Sequence, residues 1–158
     1  MLAELVLRTE KDRVVVVSGP NGSGKSTLLA AYQRYLFKNK IRFGVLSQHD
    51  DQSEELSAKQ LFDLAGVDAG VTMSELGVEG LLNKELSLCS SGEKVKVKLA
   101  LALSFDVVVL DEPLAHLDAE SKSLLEDLVR SSPSQFVIAS HEPEFFKFGS
   151  TLTLTSRF

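Results

Sequence analysis

The four residues Val14 to Val17 form an unbroken β-branched run, which predicts a strand covered on both faces. The glycine-rich stretch 18–24 breaks it, and residues 25–38 then carry Leu28, Leu29, Tyr32, Tyr35 and Leu36 at helical spacing. A turn at Asn39 and Lys40 leads to a second expected strand over 41–46, followed by a polar loop over 47–55. Residues 57–88 hold two weak helical patterns, around 58–64 and 74–82, separated by Gly66 and Gly70. Apolar residues over 93–103 alternate as a strand's would, yet Ala100, Ala102 and the polar start favour a helix. Residues 107–110 and 136–139 read as further buried strands, 119–130 as a helix capped by Asp118, and 151–155 as an edge strand. Leu2, Leu5 and Leu7 alternate too loosely to assign. Strands alternating with helices imply an α/β fold with a mainly parallel sheet flanked by helices. Residues 1–158 are expected to form one domain, with a small helical lobe about 52–90.

Composition narrows the choice. With 44% hydrophobic and 25% charged positions in 158 residues, the chain can bury a proper core. A net charge of −5 removes nonspecific phosphate-backbone binding by the whole surface and speaks against nucleic acid as a partner. The single cysteine, Cys89, excludes an internal disulfide and fits a reducing compartment, so the expected location is cytoplasmic. The longest uncharged apolar stretch, 99–105, is too short to cross a bilayer, and the first residues lack the pattern of a secretion signal. Direct membrane insertion is therefore not expected.

Chemistry concentrates where the first strand ends. Gly19-Pro20-Asn21-Gly22-Ser23-Gly24-Lys25-Ser26 fits G-x-x-x-x-G-K-[ST] between an expected strand and an expected helix. Glycines let backbone N–H groups curve around an anion, and the helix N-terminus adds partial positive charge. Lys25 is placed to reach the β- and γ-phosphates, the Ser26 hydroxyl to bind magnesium, and Thr27 to add a phosphate contact. Binding of a nucleoside triphosphate follows, within the P-loop NTPase fold. Asp111 and Glu112 end the strand over 107–110, where α/β sheets present ligand-binding groups. Asp111 is suited to hold magnesium through water and Glu112 to polarise the attacking water.

With these residues in place, the chain resembles the ATP-binding domain of the ABC ATPase superfamily over nearly its whole length. The resemblance makes Gln48 the Q-loop glutamine, with magnesium and water contacts. It places Cys89-Ser90-Ser91-Gly92-Glu93 at the family signature, Leu114 to Asp118 at the D-loop, and Ser140-His141 at the switch histidine. The signature departs from the family's pattern at Cys89 and Ser91, and residues 1–18 contain no Tyr, Phe, Trp or His to stack on adenine. The helical lobe, N-terminal antiparallel sheet and C-terminal part are all expected to be reduced.

Serine and glycine N–H groups ahead of a helix form a second anion site. The resemblance implies its use in a head-to-tail dimer, homomeric or with another ABC ATPase subunit. There Ser90, Ser91, Gly92 and Glu93 of one subunit close on the nucleotide of the other, and Asp118 lies at the junction. His141 would contact the same phosphate and help orient Glu112. The implied activity is hydrolysis of MgATP, with ATP and Mg2+ as cofactors, driving a separate membrane permease from the inner face of the membrane. The alternative is a soluble ATP-gated module acting on nucleic acid, ribosome or protein assemblies. A small P-loop kinase has no use for Ser90 to Glu93 or for Leu117-Asp118.

Overall fold

A computed structural model describes residues 1–47, 55–68, 70–115 and 117–155. Its sheet has five strands, β1 (Val14–Ser18), β2 (Gly44–Leu46), β3 (Val107–Asp111), β4 (Gln135–Ser140) and β5 (Ser150–Thr153). They are ordered β2-β3-β4-β1-β5, and every pairing is parallel. Parallel neighbours need crossovers, and helices supply them on both faces. The helices are α1 (Leu2–Thr9), α2 (Lys25–Lys38), α3 (Ala58–Ala65), α4 (Gly70–Glu75), α5 (Ser91–Leu103) and α6 (Ala119–Ser131).

Strand pleating sorts the core into two layers. Val15, Val17, Val109, Val137 and Ala139 meet Leu5 of α1 and Leu28, Leu29, Tyr32 and Leu36 of α2. Their neighbours Val14, Val16, Val108, Leu110, Phe136 and Ile138 face the opposite layer, with Val97, Leu99, Leu125 and Val129 from α5 and α6 and the apolar residues of the helical segment. Successive side chains point to opposite faces of a strand, so a continuous apolar run is what two covered faces require.

Four expectations shift. The N-terminus is the helix α1, burying Leu5 against the sheet while Leu7 stays exposed. β2 is shorter than 41–46 because the residues before it finish α2. Lys40 adopts φ 58°, its N–H donates to Phe37 O at 3.0 Å, and Ile41 N–H reaches back to Leu36 O at 3.0 Å, the pattern of a helix ended by a left-handed residue. Gly44 then lies against the Ala102 backbone with no room for a Cβ, which seats β2 on α5. In the helical segment, α4 precedes the expected 74–82. Gly77, at φ 67°, follows its end, and two short 3-10 turns, Glu79–Leu81 and Leu86–Leu88, come after it. Finally β5 begins one residue early and runs parallel to β1 at the sheet edge.

Arg13, just ahead of β1, ties α6 to the sheet. Its guanidinium donates to Val129 O at 2.9 Å, Ser132 O at 2.6 Å and Arg130 O at 3.1 Å, satisfying carbonyls that the last turn of a helix leaves open.

Candidate phosphate-binding site

β1 ends at Ser18 and the chain turns sharply at Gly19. A Cβ there would sit 2.6 Å from Leu154 O and 2.7 Å from Ser23 Oγ, so only glycine fits beside β5. Gly24, at φ 92°, starts α2, and the first helical hydrogen bond runs from Leu28 N–H to Gly24 O at 2.9 Å. The preceding N–H groups belong to the turn that helix geometry leaves open for an anion. Lys25 is buried, with its ammonium donating to Gly19 O at 2.8 Å and Pro20 O at 3.3 Å. Ser26 and Thr27 are exposed on the first turn of α2.

Glu112 reaches this loop from across the sheet. Its backbone has φ 50°, and its N–H donates to Ala139 O at 2.9 Å, so the chain leaving β3 is fastened to β4. A non-glycine residue in that conformation is strained, and the pairing with β4 holds it there. Oε1 lies 3.4 Å from Lys25 Nζ, while Oε2 accepts from His141 N–H at 3.2 Å and lies 2.7 Å from His141 Nδ1. Glu112 therefore bridges the lysine of one loop and the histidine of another. Asn21, Gly22, Gly24, Lys25, Ser26, Thr27, Glu112 and His141 together line a cleft of about 510 Å³.

Asp111 sits one residue earlier, and its Oδ1 is buried without a hydrogen-bond partner among the described residues. A buried acceptor left open is costly unless something satisfies it. A hydrated divalent cation suits this acceptor, so Asp111 and Ser26 fit the residue types that hold Mg2+ beside a phosphate. Gln48, also expected at the metal, lies outside the described residues.

The signature segment is elsewhere. Ser90 caps α5: its Oγ accepts from Glu93 N–H at 3.2 Å, and Glu93 Oε2 accepts from Ser90 N–H at 2.8 Å. This reciprocal pair satisfies two open donors. The Ser90 N–H, together with Lys84 at 3.5 Å, holds the Glu93 carboxyl below the usual carboxylate range. Asp118 caps α6 by accepting from Ser121 N–H at 2.8 Å, which lowers its own carboxyl in the same way, with Lys96 adding to the effect. Ser90, Gly92, Glu93, Lys96 and Asp118 line a second cleft of about 350 Å³. Ser91 is exposed beside it. The two clefts share no lining residue.

The sequence reading missed what stands behind His141. Its Nε2 lies 3.8 Å from Glu142 Oε1, which is itself 2.9 Å from Lys122 Nζ, and that ammonium sits 5.5 Å over the Phe145 ring. Adjacency to His141 was the only signal Glu142 offered. Lys94, Lys96 and Lys98 are half-buried along α5.

The sequence profile of the ABC transporter family matches residues 2–115. The chain belongs to that family. Among its curated relatives, the zinc import ATP-binding protein ZnuC of Acinetobacter baylyi is 28% identical over 169 aligned positions, covering 95% of this chain. Elongation factor 3 of Mycosarcoma maydis is 31% identical over 161 positions, covering 92% of this chain. The chain spans 65% of the length of that ZnuC and 15% of that elongation factor. The dimeric structure of a bacterial ABC transporter cassette matches with a TM-score of 0.75 at 21% identity, covering 92% of this chain and 82% of that one. That likeness shows the fold: this ABC transporter family chain is a P-loop NTPase with a parallel sheet between helical layers.

Proposed function

We propose that residues 1–158 act as one ATPase domain, with the helical segment about 52–90 as its smaller lobe. In this reading the chain binds MgATP in the 510 Å³ cleft and hydrolyses it within a head-to-tail dimer. The observation that carries it is the convergence of Lys25, Glu112 and His141 on the phosphate loop, from three separate parts of the chain. Gly19 to Thr27 cradle the phosphates, and the Lys25 ammonium moves from Gly19 O and Glu112 onto the terminal phosphates. Glu112 then accepts a proton from water as the water oxygen bonds to the γ-phosphorus. The bond to the β-bridging oxygen breaks, releasing ADP and phosphate. His141 keeps its hold on Glu112 Oε2 and orients the carboxylate. Mg2+ bound by Ser26 and Asp111, with Gln48, would neutralise phosphate charge.

The dimer is supported by the two clefts, which share no lining residue: Ser90, Gly92, Glu93 and Asp118 line a different wall from Lys25. A second copy, or a different ABC ATPase subunit, supplies that wall. As biological setting we favour the ATPase subunit of a membrane transporter, held at the inner face of the membrane by a permease. The ZnuC relatives are named zinc import ATP-binding proteins, and no described helix is long and apolar enough to cross a membrane. The second setting is a soluble ATP-gated module on nucleic acid, ribosome or protein assemblies, which the 31% identity with a relative named elongation factor 3 favours.

Affinity purification of tagged Glu112→Gln protein from its own cells in mild detergent with MgATP separates the two. Co-elution of a multi-span membrane protein is the expected result. Recovery of ribosomes or of soluble proteins alone contradicts the transporter setting.

A further inference from the structure

His141 holds Glu112 Oε2 twice, through its backbone N–H at 3.2 Å and through Nδ1 at 2.7 Å. A carboxylate only accepts, so both nitrogens donate. The ring is nevertheless half exposed and sits on the loop that follows β4, where backbone and side chains ordinarily move. What fixes that loop is the next residue.

Glu142 is tied down in three ways. Its N–H donates at 3.0 Å to the Oγ of Ser140, which is fully buried at the end of β4. Its carboxylate accepts twice from the Lys122 ammonium, Oε1 at 2.9 Å and Oε2 at 3.1 Å. Pro143 follows, restricting the Glu142 backbone and opening a 3-10 turn, Pro143–Phe146, whose last residue is buried in the core. Lys122 is held in turn: its N–H donates to Asp118 O at 2.9 Å in the first turn of α6, and its ammonium lies over the Phe145 ring. Exposed ion pairs contribute little to stability. This one is only 22% and 25% exposed and two-pronged, which sets direction as well as distance. Glu142 Oε1 stands 3.8 Å from His141 Nε2, outside hydrogen-bond range, so Glu142 acts on the loop rather than as a second partner of the ring.

We propose that Glu142, latched to α6 by Lys122, is a positioning residue for the hydrolytic step. The latch keeps the loop after β4 in the arrangement where His141 presents both donors to Glu112 Oε2. Glu112 Oε1 is then left to the attacking water once Lys25 has moved to the phosphates. The inference rests on the reading of Glu112 as general base. Because α6 begins at Asp118, which lines the second cleft, the same ion pair joins that wall to the loop lining the first. A misplacement of about 1 Å can lower a rate about 10²-fold, so a slack loop should show in turnover.

The test combines steady-state ATP hydrolysis by the full chain with amide hydrogen exchange of the nucleotide-free protein. Glu142→Gln keeps the shape and removes the charge that Lys122 grips. It should lower kcat at least about tenfold while KM for ATP stays within about twofold. Lys122→Met should do the same, and Lys122→Arg should recover most of that loss, since a guanidinium also grips a carboxylate at two points. In a His141→Ala background Glu142→Gln should cost nothing further, as residues acting in series require. The His141 N–H should exchange at least about tenfold faster in Glu142→Gln and Lys122→Met, with the Val137 N–H in the middle of β4 unchanged. A KM rise that accounts for the loss, an undiminished effect in the His141→Ala background, or an unchanged His141 exchange rate overturns the proposal. Full turnover in Glu142→Gln beside lost turnover in Glu112→Gln sinks the latch alone. Full turnover in both sinks the reading of Glu112, and the latch with it.

Discussion

Glu112 carries two conflicting demands at once. Its backbone is held at φ 50° by a bond to Ala139 O, and its carboxylate is shared between Lys25 and His141. Removing the negative charge while keeping the shape should separate binding from turnover. Glu112→Gln is expected to retain ATP affinity in calorimetry while phosphate release falls by about 10²–10⁴-fold, the usual worth of a positioned general base. A variant with unchanged turnover would assign the base elsewhere. Lys25→Ala should behave oppositely, losing nucleotide affinity outright, because the phosphate loop recognises charge with its backbone and this one ammonium. At Lys40 the prediction concerns stability: relief of the left-handed strain should make Lys40→Gly more stable by about 1 kcal/mol in urea unfolding. A loss of stability would mean that the side chain packs favourably enough to outweigh the strain.

The elements owe their ends to a few polar contacts, and those ends respond to pH and mutation. Both Glu93 and Asp118 have carboxyls held below their ordinary range by backbone N–H groups at helix N-termini. A lowered folded-state value favours the charged form, so the stability these caps contribute is present above the unfolded carboxylate range. It is lost as pH falls through the folded-state value. Glu93→Gln and Asp118→Asn should therefore flatten the acid limb of a stability-against-pH curve, and an unchanged limb would show that the caps do not carry it. Arg13→Ala should destabilise the fold by about 1–3 kcal/mol in urea unfolding, as charged bonds to the end of α6 are lost. Arg13→Lys should recover little, because a single ammonium cannot span three carbonyls.

These same elements show what the sequence carries and what it hides. β1, β3 and β4 were legible because each is covered on both faces and reads as an unbroken apolar run. The helix over 25–38 was legible because the glycine loop fixes its start and the apolar spacing its face. α1 was not: exposed Leu7 interrupts the face formed by Leu2, Leu5 and Val6, and so mimics a loose alternation. β2 is shorter than the expected 41–46 because Ile41 looks like a strand residue but spends its N–H on the end of α2. Within the site, the phosphate loop is local and declares itself, whereas the Glu112 to His141 contact exists only once β3 and β4 are paired. Glu142 and Lys122 carry no motif and emerged only from the folded geometry.

At the scale of the molecule, the placement of the two clefts matters most. One gathers the phosphate loop, Glu112 and His141, and the other gathers Ser90, Gly92, Glu93 and Asp118 at the starts of α5 and α6. The first presents the open N-terminus of α2 to an anion, the second the capped starts of α5 and α6, and they have no lining residue in common. The proposed head-to-tail pair of chains would put both to use and would make association depend on nucleotide. The sheet is covered on both faces by buried apolar layers, so closure of the proposed pair would be a matter of docking rather than refolding.

The most direct test of this account is the mass of the Glu112→Gln protein in solution by light scattering, with and without MgATP. The account predicts a 17.2 kDa species without nucleotide and twice that mass with it, reverting when Lys25→Ala is added. A mass that stays at 17.2 kDa while calorimetry shows the site saturated with MgATP would contradict it.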